Sequence, residues 1–307
     1  MLLAFAVGAT AVLLVTRFWC RPTPSVRGRS VVVVGASSGI GRCLALEYAR
    51  HGANLVLCAR RPELLATVAD ACRQLSVHVT TVVGDITQRD TQLALCREAT
   101  ARGVDYLVLN AGAISVRPIA DLWHPTTTTL ENEDEVLRGR ADQAEALLHR
   151  ILAINVVAPA TLAGMFLPLL AQSRGVVVVV SSVAGLVAAP TRSLYSASKH
   201  AVTGYFNAFR MEVARLGVAV TVVYPGTVDT DLRHSAVDAS LPTSEPLPAG
   251  SNSGKLSANT CARQIVRAAA LRASSLVTPW PYSLGPLLHS IVPSFVDYLA
   301  KRKYGYV

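Results

Sequence analysis

An unbroken apolar run, Ser30 to Val34, leads directly into Gly35-Ala36-Ser37-Ser38-Gly39-Ile40-Gly41, and Arg42 to Arg50 then reads as a helix. Glycines concentrated at a strand-to-helix junction leave few choices. Without side chains, the backbone N–H groups at the helix start and the positive end of its dipole can close on an anion such as a pyrophosphate. Similar apolar runs recur at Asn54 to Cys58, Thr80 to Gly84, Tyr106 to Leu109, Val176 to Val180 and Ala219 to Val223, alternating with helical stretches. Crossovers of that kind impose a parallel sheet. The runs are continuous and valine-rich, as expected of strands covered by helices on both faces.

The fold class is therefore α/β, a doubly wound parallel sheet of Rossmann type, in a single catalytic domain over residues 30–275 preceded by an N-terminal membrane anchor. The anchor is read at residues 1–20, where Leu2 to Val15 carry no charge and Arg17 is followed by Phe18 and Trp19, an aromatic pair suited to the lipid headgroups. The apolar run is shorter than the ~20 residues that span a bilayer comfortably, so spanning requires Arg17 to snorkel. A cleaved signal peptide is the rival reading, but no Lys or Arg precedes the apolar run. Residues 21–29 form a linker, and the apolar, proline-broken segment 276–307 is open between packing on the body and lying on the bilayer.

Composition agrees with membrane attachment, since 51% of the 307 residues are hydrophobic and only 16% charged. The net charge of +9 is concentrated at Arg17, Arg21, Arg27 and Arg29 and at Lys301, Arg302 and Lys303. These flank the apolar segments, and no basic helix or finger motif accompanies them, so no nucleic-acid partner is expected. With the basic residues following the anchor, the body faces the cytoplasm and the N-terminus the lumen. An endoplasmic reticulum membrane is the expected site, with a lipid droplet open. The six cysteines are scattered without CxxC or metal spacing, so neither a disulfide framework nor a metal is expected.

The second strand ends in Ala59-Arg60-Arg61, where a site for NAD would present an acid to the ribose 2′-hydroxyl. Two guanidiniums suit a 2′-phosphate instead, so the expected cofactor is NADP(H). Farther along, Tyr195 and Lys199 stand four apart and share one helix face. An ammonium beside a phenol favours the phenolate, making the pair a candidate acid or base.

Taken in order, the glycine turn, Asn110-Ala111-Gly112, Asn155, Ser182, Tyr195 to Lys199 and Pro225-Gly226 resemble the motifs of the short-chain dehydrogenase/reductase family over residues 30 to about 230. Val34 and Leu109 depart from it, where many members carry threonine and asparagine. The resemblance implies that Tyr195 exchanges a proton with a substrate carbonyl or alcohol, that Lys199 holds the nicotinamide ribose and lowers the phenol's pKa, and that Ser182 bonds the reacting oxygen. Ser181 is the less favoured neighbour. Asn155 would hold a water that links Lys199 to solvent. For the cofactor it implies Gly35, Ser37, Ser38, Gly39, Ile40 and Gly41 at the pyrophosphate, Arg60 and Arg61 at the 2′-phosphate, and Asp85 with Ile86 at the adenine. Asn110, Ala111 and Gly112, Pro225, Gly226, Val228 and Thr230 complete that set with Tyr195 and Lys199. Asp85 as a plain turn residue and Thr230 as a helix cap are the plainer alternatives.

Two polar stretches interrupt the alternation, Arg117 to Arg140 and Asp231 to Ser257, and both are expected to be surface loops, the first containing an insertion. Within the family the chain is similar to membrane-anchored members related to 11β-hydroxysteroid dehydrogenases, through its anchor and Val228-Asp229-Thr230-Asp231. That implies a lipophilic ketone or alcohol as substrate, steroid-like or another lipid. A 3-ketosphinganine-type reductase of sphingolipid synthesis and a silent cofactor-binding scaffold are the alternatives, and a homodimer is left open.

Overall fold

The computed structural model describes residues 21–123, 133–238 and 255–306. The expected anchor and parts of both polar stretches lie outside these residues. Seven parallel strands form one sheet in the order β3-β2-β1-β4-β5-β6-β9, with β1 Ser30–Val34, β2 Asn54–Ala59, β3 Val79–Val83, β4 Tyr106–Leu109, β5 Val176–Val180, β6 Ala219–Pro225 and β9 Ser275–Thr278. A separate short pair joins β7 Val228–Asp229 to β8 Leu256–Ser257. The order reverses between β1 and β4, where Val32 pairs with Val56 on one side and Leu107 on the other.

Alternation of side chains explains the unbroken valine runs. Val31 and Val33 enter one core, with Leu44 and Tyr48 of the helix Gly39–Arg50 and Ile265 of the helix Ala258–Ala270. Val32 and Val34 enter the opposite core, with Leu95, Leu162, Phe166 and Phe206. Successive residues of one strand therefore bury on opposite faces, and neither face tolerates a polar residue. The six strands anticipated from the sequence are present.

The structure departs from expectation in several places. A seventh strand, β9, pairs with the edge of β6 and sends Leu276 and Val277 into the two cores, so the sheet continues past the expected boundary at 275. The expected loop from Arg117 to Arg140 contains the short helix Ile119–Trp123 and, from Glu133, the start of a long helix. Arg140 donates to the Trp123 carbonyl at 2.7 Å and ties the two together. The linker is attached to the body as well, because Val26 is buried and Gly28 donates its N–H to Gly52 O at 2.8 Å.

The helical run Asp134–Ser173 is long and apolar enough to cross a membrane. Its C-terminal half is nonetheless part of the core: Leu162, Phe166 and Leu170 are fully buried against the sheet, while Val136, Leu137 and Val157 are exposed. Truncating a buried aromatic leaves a cavity as well as lost transfer energy, so Phe166→Ala is expected to cost about 3 to 5 kcal/mol in urea unfolding. A cost below about 1 kcal/mol, the level of a surface change, would remove this helix from the core.

Candidate active site

The glycine turn follows β1 at the point where the strand order reverses. Gly35 has φ +82°, and a Cβ there would lie 2.7 Å from the Ala111 Cα. At Gly41 a Cβ would stand 2.0 Å from Gly35 O and 2.5 Å from Asn110 Nδ2, so no other residue fits. Asn110 Nδ2 donates to Gly35 O at 3.1 Å, fastening the end of β4 to the turn. A Cβ on Gly39 would meet the Thr230 methyl at 3.1 Å, which brings the segment after Pro225-Gly226 to the same place. Thr230 precedes the short turn Asp231–Ser235 but makes no side-chain cap to it.

Ser37 and Ser38 do not cap the following helix with their hydroxyls. Arg61 Nη2 donates to both instead, at 3.2 and 2.6 Å, and so holds its guanidinium over the turn. Arg60 points elsewhere, with Nη1 at 3.8 Å from Asp85 Oδ2. Asp85 Oδ1 accepts from the Thr87 N–H and hydroxyl, the hydrogen bonds of a turn residue. Ile86 is buried, and its carbonyl accepts from the buried Gln92 at 2.7 Å. Gly226 donates to Thr278 O at 2.7 Å, and a Cβ on it would strike the Tyr282 ring, while Val228 pairs with Leu256. A bare backbone turn at a helix N-terminus, with the Arg61 guanidinium held over it, is the donor set a phosphate-bearing dinucleotide requires.

The four expected catalytic side chains converge beside this cradle. Tyr195 and Lys199 lie in the helix Ser193–Val213, and Lys199 Nζ stands 5.7 Å from the Tyr195 ring centroid. Lys199 is buried and donates to Val180 O at 3.0 Å, at the end of β5. Asn155 sits in the π-helical turn Ala153–Val157 within the long helical run. Turns of that kind frequently mark functional positions. Its Oδ1 accepts from Ala113 N at 2.7 Å and its Nδ2 donates to Ala113 O and Ser198 Oγ, both at 2.9 Å. A point beside Gly112 lies 3.3 Å from Asn155 Oδ1 and 3.6 Å from Lys199 Nζ, so both polar atoms face one spot. Ser182 Oγ accepts from Ala184 N at 3.1 Å, approaches Pro225 O at 3.5 Å and lies beside the Tyr195 phenol, whose pKa it lowers. Ser181 is turned away, toward Lys199 O and Thr203 Oγ1.

One electrostatic expectation is corrected. Burial raises the Tyr195 phenol, and the opposing influences are the hydrogen bond with Ser182 and the nearby Arg192, which together do not offset it. Lys199 is itself desolvated, which lowers its ammonium from 10.5 to about 8. A spacing of four residues reports proximity but not the loss of water, and desolvation dominates here.

Several residues were not anticipated. Ser198 accepts from Asn155 and donates to Tyr195 O at 2.7 Å, joining two expected residues. A serine inside a helix between Tyr195 and Lys199 was the available signal. Gly185 lets the turn after β5 touch that helix, since a Cβ would lie 2.6 Å from Lys199 O. Asp238, 1% exposed, accepts from Ser115 Oγ at 2.7 Å and from the N–H groups of Val116 and Arg117. Arg192 donates to Ser115 O at 3.1 Å. No local pattern announces those last two, because their partners are far away in sequence.

The short chain dehydrogenase family pattern matches residues 29–240. A hydroxysteroid 11-beta-dehydrogenase 1-like protein A of Xenopus laevis is 30% identical over 314 residues, covering 99% of this chain and 96% of that one. Among solved structures, a short chain dehydrogenase/reductase of Burkholderia phymatum in complex with NAD superposes with a TM-score of 0.70 at 23% identity, covering 88% of this chain and 96% of that one. A Sphingobium yanoikuyae short-chain dehydrogenase in complex with NADPH gives 0.65 at 22% identity, with 88% and 95% covered. The chain belongs to the short-chain dehydrogenase/reductase family, and it is an oxidoreductase of that family built to bind a nicotinamide dinucleotide.

Lys199 carries a testable cost. Its pKa falls from 10.5 to about 8 on folding, so the folded state loses its proton first and the buried charge opposes folding below pH 8. Lys199→Met is therefore expected to stabilise the cofactor-free protein at pH 7 by at most roughly 3 kcal/mol, seen as a higher thermal midpoint. The gain should shrink as pH rises from about 8 toward 10.5, where lysine is neutral in both states. A lower midpoint for the variant at pH 7 would show that the Val180 contact outweighs desolvation.

Proposed function

We propose that the protein is an NADP(H)-dependent oxidoreductase that interconverts a ketone or aldehyde and an alcohol on a lipophilic substrate, steroid-like or another lipid. The observation that carries this reading is the convergence of Ser182, Tyr195, Lys199 and Asn155 at the mouth of the glycine cradle. Bound there, the nicotinamide supplies or accepts the hydride. Ser182 and Tyr195 hydrogen-bond the reacting oxygen, and Tyr195 gives its proton to it on reduction. The raised phenol pKa keeps that proton in place at neutral pH, which suits the reductive direction. Lys199 holds the ribose hydroxyls, and Asn155 positions a water beside Gly112 through which Lys199 exchanges protons with solvent.

Preference for NADP(H) is supported by Arg61, whose guanidinium lies over Ser37 and Ser38, by Arg60, and by the absence of an acid at the end of β2. The apolar substrate side is supported by the cluster that Tyr195 shares with Ile114, Val116, Leu147 and Val237. The similarity to 11-beta-hydroxysteroid dehydrogenase-like proteins points the same way. We further place the protein on the endoplasmic reticulum membrane with its body in the cytoplasm. Beside the segment 1–20, the C-terminal helices Gly285–Ile291 and Pro293–Tyr304 expose Leu287, Ile291, Phe295 and Leu299 ahead of Lys301, Arg302 and Lys303. An apolar face edged by cations suits the surface of an anionic bilayer.

Purified protein is expected to oxidise NADPH in the presence of a hydrophobic ketone from a steroid, retinoid, sphingoid and fatty carbonyl panel. Tyr195→Phe should abolish turnover while retaining cofactor binding, and undiminished turnover would overturn the assignment. Turnover by reduction should also fall as pH rises through about 8, where Lys199 loses its charge. Replacing both Arg60 and Arg61 by alanine should raise KM for NADPH about tenfold or more and leave NADH little changed, as loss of a charge-assisted phosphate contact requires. In microsomes a C-terminal tag should be digested by added protease, and a protected tag would refute the cytoplasmic placement.

A further inference from the structure

Arg192 stands three residues before Tyr195, at the start of the same helix, and is only 7% exposed. Burying a guanidinium is costly unless its donors are used. Yet only Nη1 finds a protein acceptor, Ser115 O at 3.1 Å. Among the described residues, Nε and Nη2 have no acceptor, and neither is sealed from solvent. The Tyr304 ring covers the guanidinium at 5.6 Å. No carboxylate pairs with Arg192 among the described residues.

Arg233, in the turn Asp231–Ser235 three residues beyond Thr230, lies close enough for the charge of Arg192 to act on it. It is half-buried and likewise lacks an ion pair among the described residues. Burial, and after it the charge of Arg192, lowers its pKa, so two like charges are held near each other. Asp238 is the buried carboxylate of this region, but its oxygens are taken by Ser115, Val116 and Arg117. Asp231 shares the turn with Arg233 and is not ion-paired to it. Tyr195 belongs to an apolar cluster with Ile114, Ala236 and Val237, residues that follow Arg233 or adjoin Ser115 in the chain. The contacts of Arg192 with Ser115 O and Tyr304 leave its charge without a counter-ion among the described residues, and like charges left unneutralised cost stability. They are explained by a ligand that brings the counter-charge.

We infer that the substrate is a lipid carrying a carboxylate remote from its carbonyl, received by Arg192 and Arg233 while the apolar cluster encloses the hydrocarbon. The inference rests on the reading of Tyr195 as the reacting phenol and narrows the substrate from lipophilic to amphiphilic and anionic. The planar fork of arginine suits a carboxylate in bidentate geometry.

The test uses the full chain saturated with NADP+ and measures binding by calorimetry for dodecanoate, methyl dodecanoate and monododecyl phosphate. Dodecanoate is expected to bind about tenfold or more tighter than its ester, the factor one charge-assisted contact supplies. Arg192→Gln and Arg233→Gln should each erase that preference while leaving ester affinity within about twofold, the retained ester binding showing that the pocket is intact. Arg192→Lys, which keeps charge without the fork, should retain part of it. Equal affinity of wild type for acid and ester would overturn the inference. So would a preference for the phosphate ester over the acid, or variants that weaken NADP+ while acid and ester keep their ratio, which would place the arginines on the cofactor. Because the readout is binding, loss of the acid preference leaves NADPH-dependent turnover intact as the separate test of the reductase reading.

Discussion

The close approach of β1 and β4 at their C-terminal ends governs the rest of this molecule. Gly41 lies against the Gly35 carbonyl, Asn110 donates to that same carbonyl, and Ala111 closes on the Gly35 backbone. A methyl group at either glycine would push the first helix off the sheet. Because strand order reverses at this point, the helices that follow diverge to opposite faces and leave a crevice between them. Thr230 then reaches Gly39 from the far side of the sheet, and Gly112 opens toward Lys199 and Asn155. Cofactor cradle and candidate chemistry are thus two sides of one packing constraint.

The chemistry is held on rigid elements, and holding it is expensive. Lys199 is a buried ammonium bonded to a strand carbonyl, Asn155 is locked by the Ala113 backbone, and Ser198 bridges Asn155 to the Tyr195 carbonyl. Each group is oriented by backbone and not by a mobile neighbour, which limits the ways the site can misarrange. The same burial that orients Tyr195 raises its pKa, so orientation and acidity pull in opposite directions, and Ser182 and Arg192 recover only part of the difference.

Much of this was legible in the sequence because the sheet is covered on both faces. Strands in that position must be apolar at every residue, so Val31 to Val34 and Val176 to Val180 announce themselves. β9 did not, since it is short, has a single partner at the sheet edge and runs directly into Pro279. The helix beginning at Glu133 was obscured by its first turns, where Asp134 to Gly139 are all exposed and form no apolar stripe of the kind that marks a buried face. The order of motifs singled out the candidate residues, and in the structure Ser182 lies beside the Tyr195 phenol while Ser181 turns toward Lys199 O. Asp238 and Arg192 stayed hidden, as their meaning depends on Ser115, which no sequence spacing connects to either.

Tyr304, at the end of the last helix, lies on the guanidinium of Arg192, one helical turn ahead of Tyr195. The C-terminal helix and the candidate site are therefore in contact, although more than a hundred residues of sequence separate them. A change at the outside of that helix, such as a fused tag or a cut behind Ala300, is therefore felt at Arg192 and, through its charge, at the Tyr195 phenol. The outer face of the last helix is thereby coupled to the candidate site through the contact of Tyr304 with Arg192.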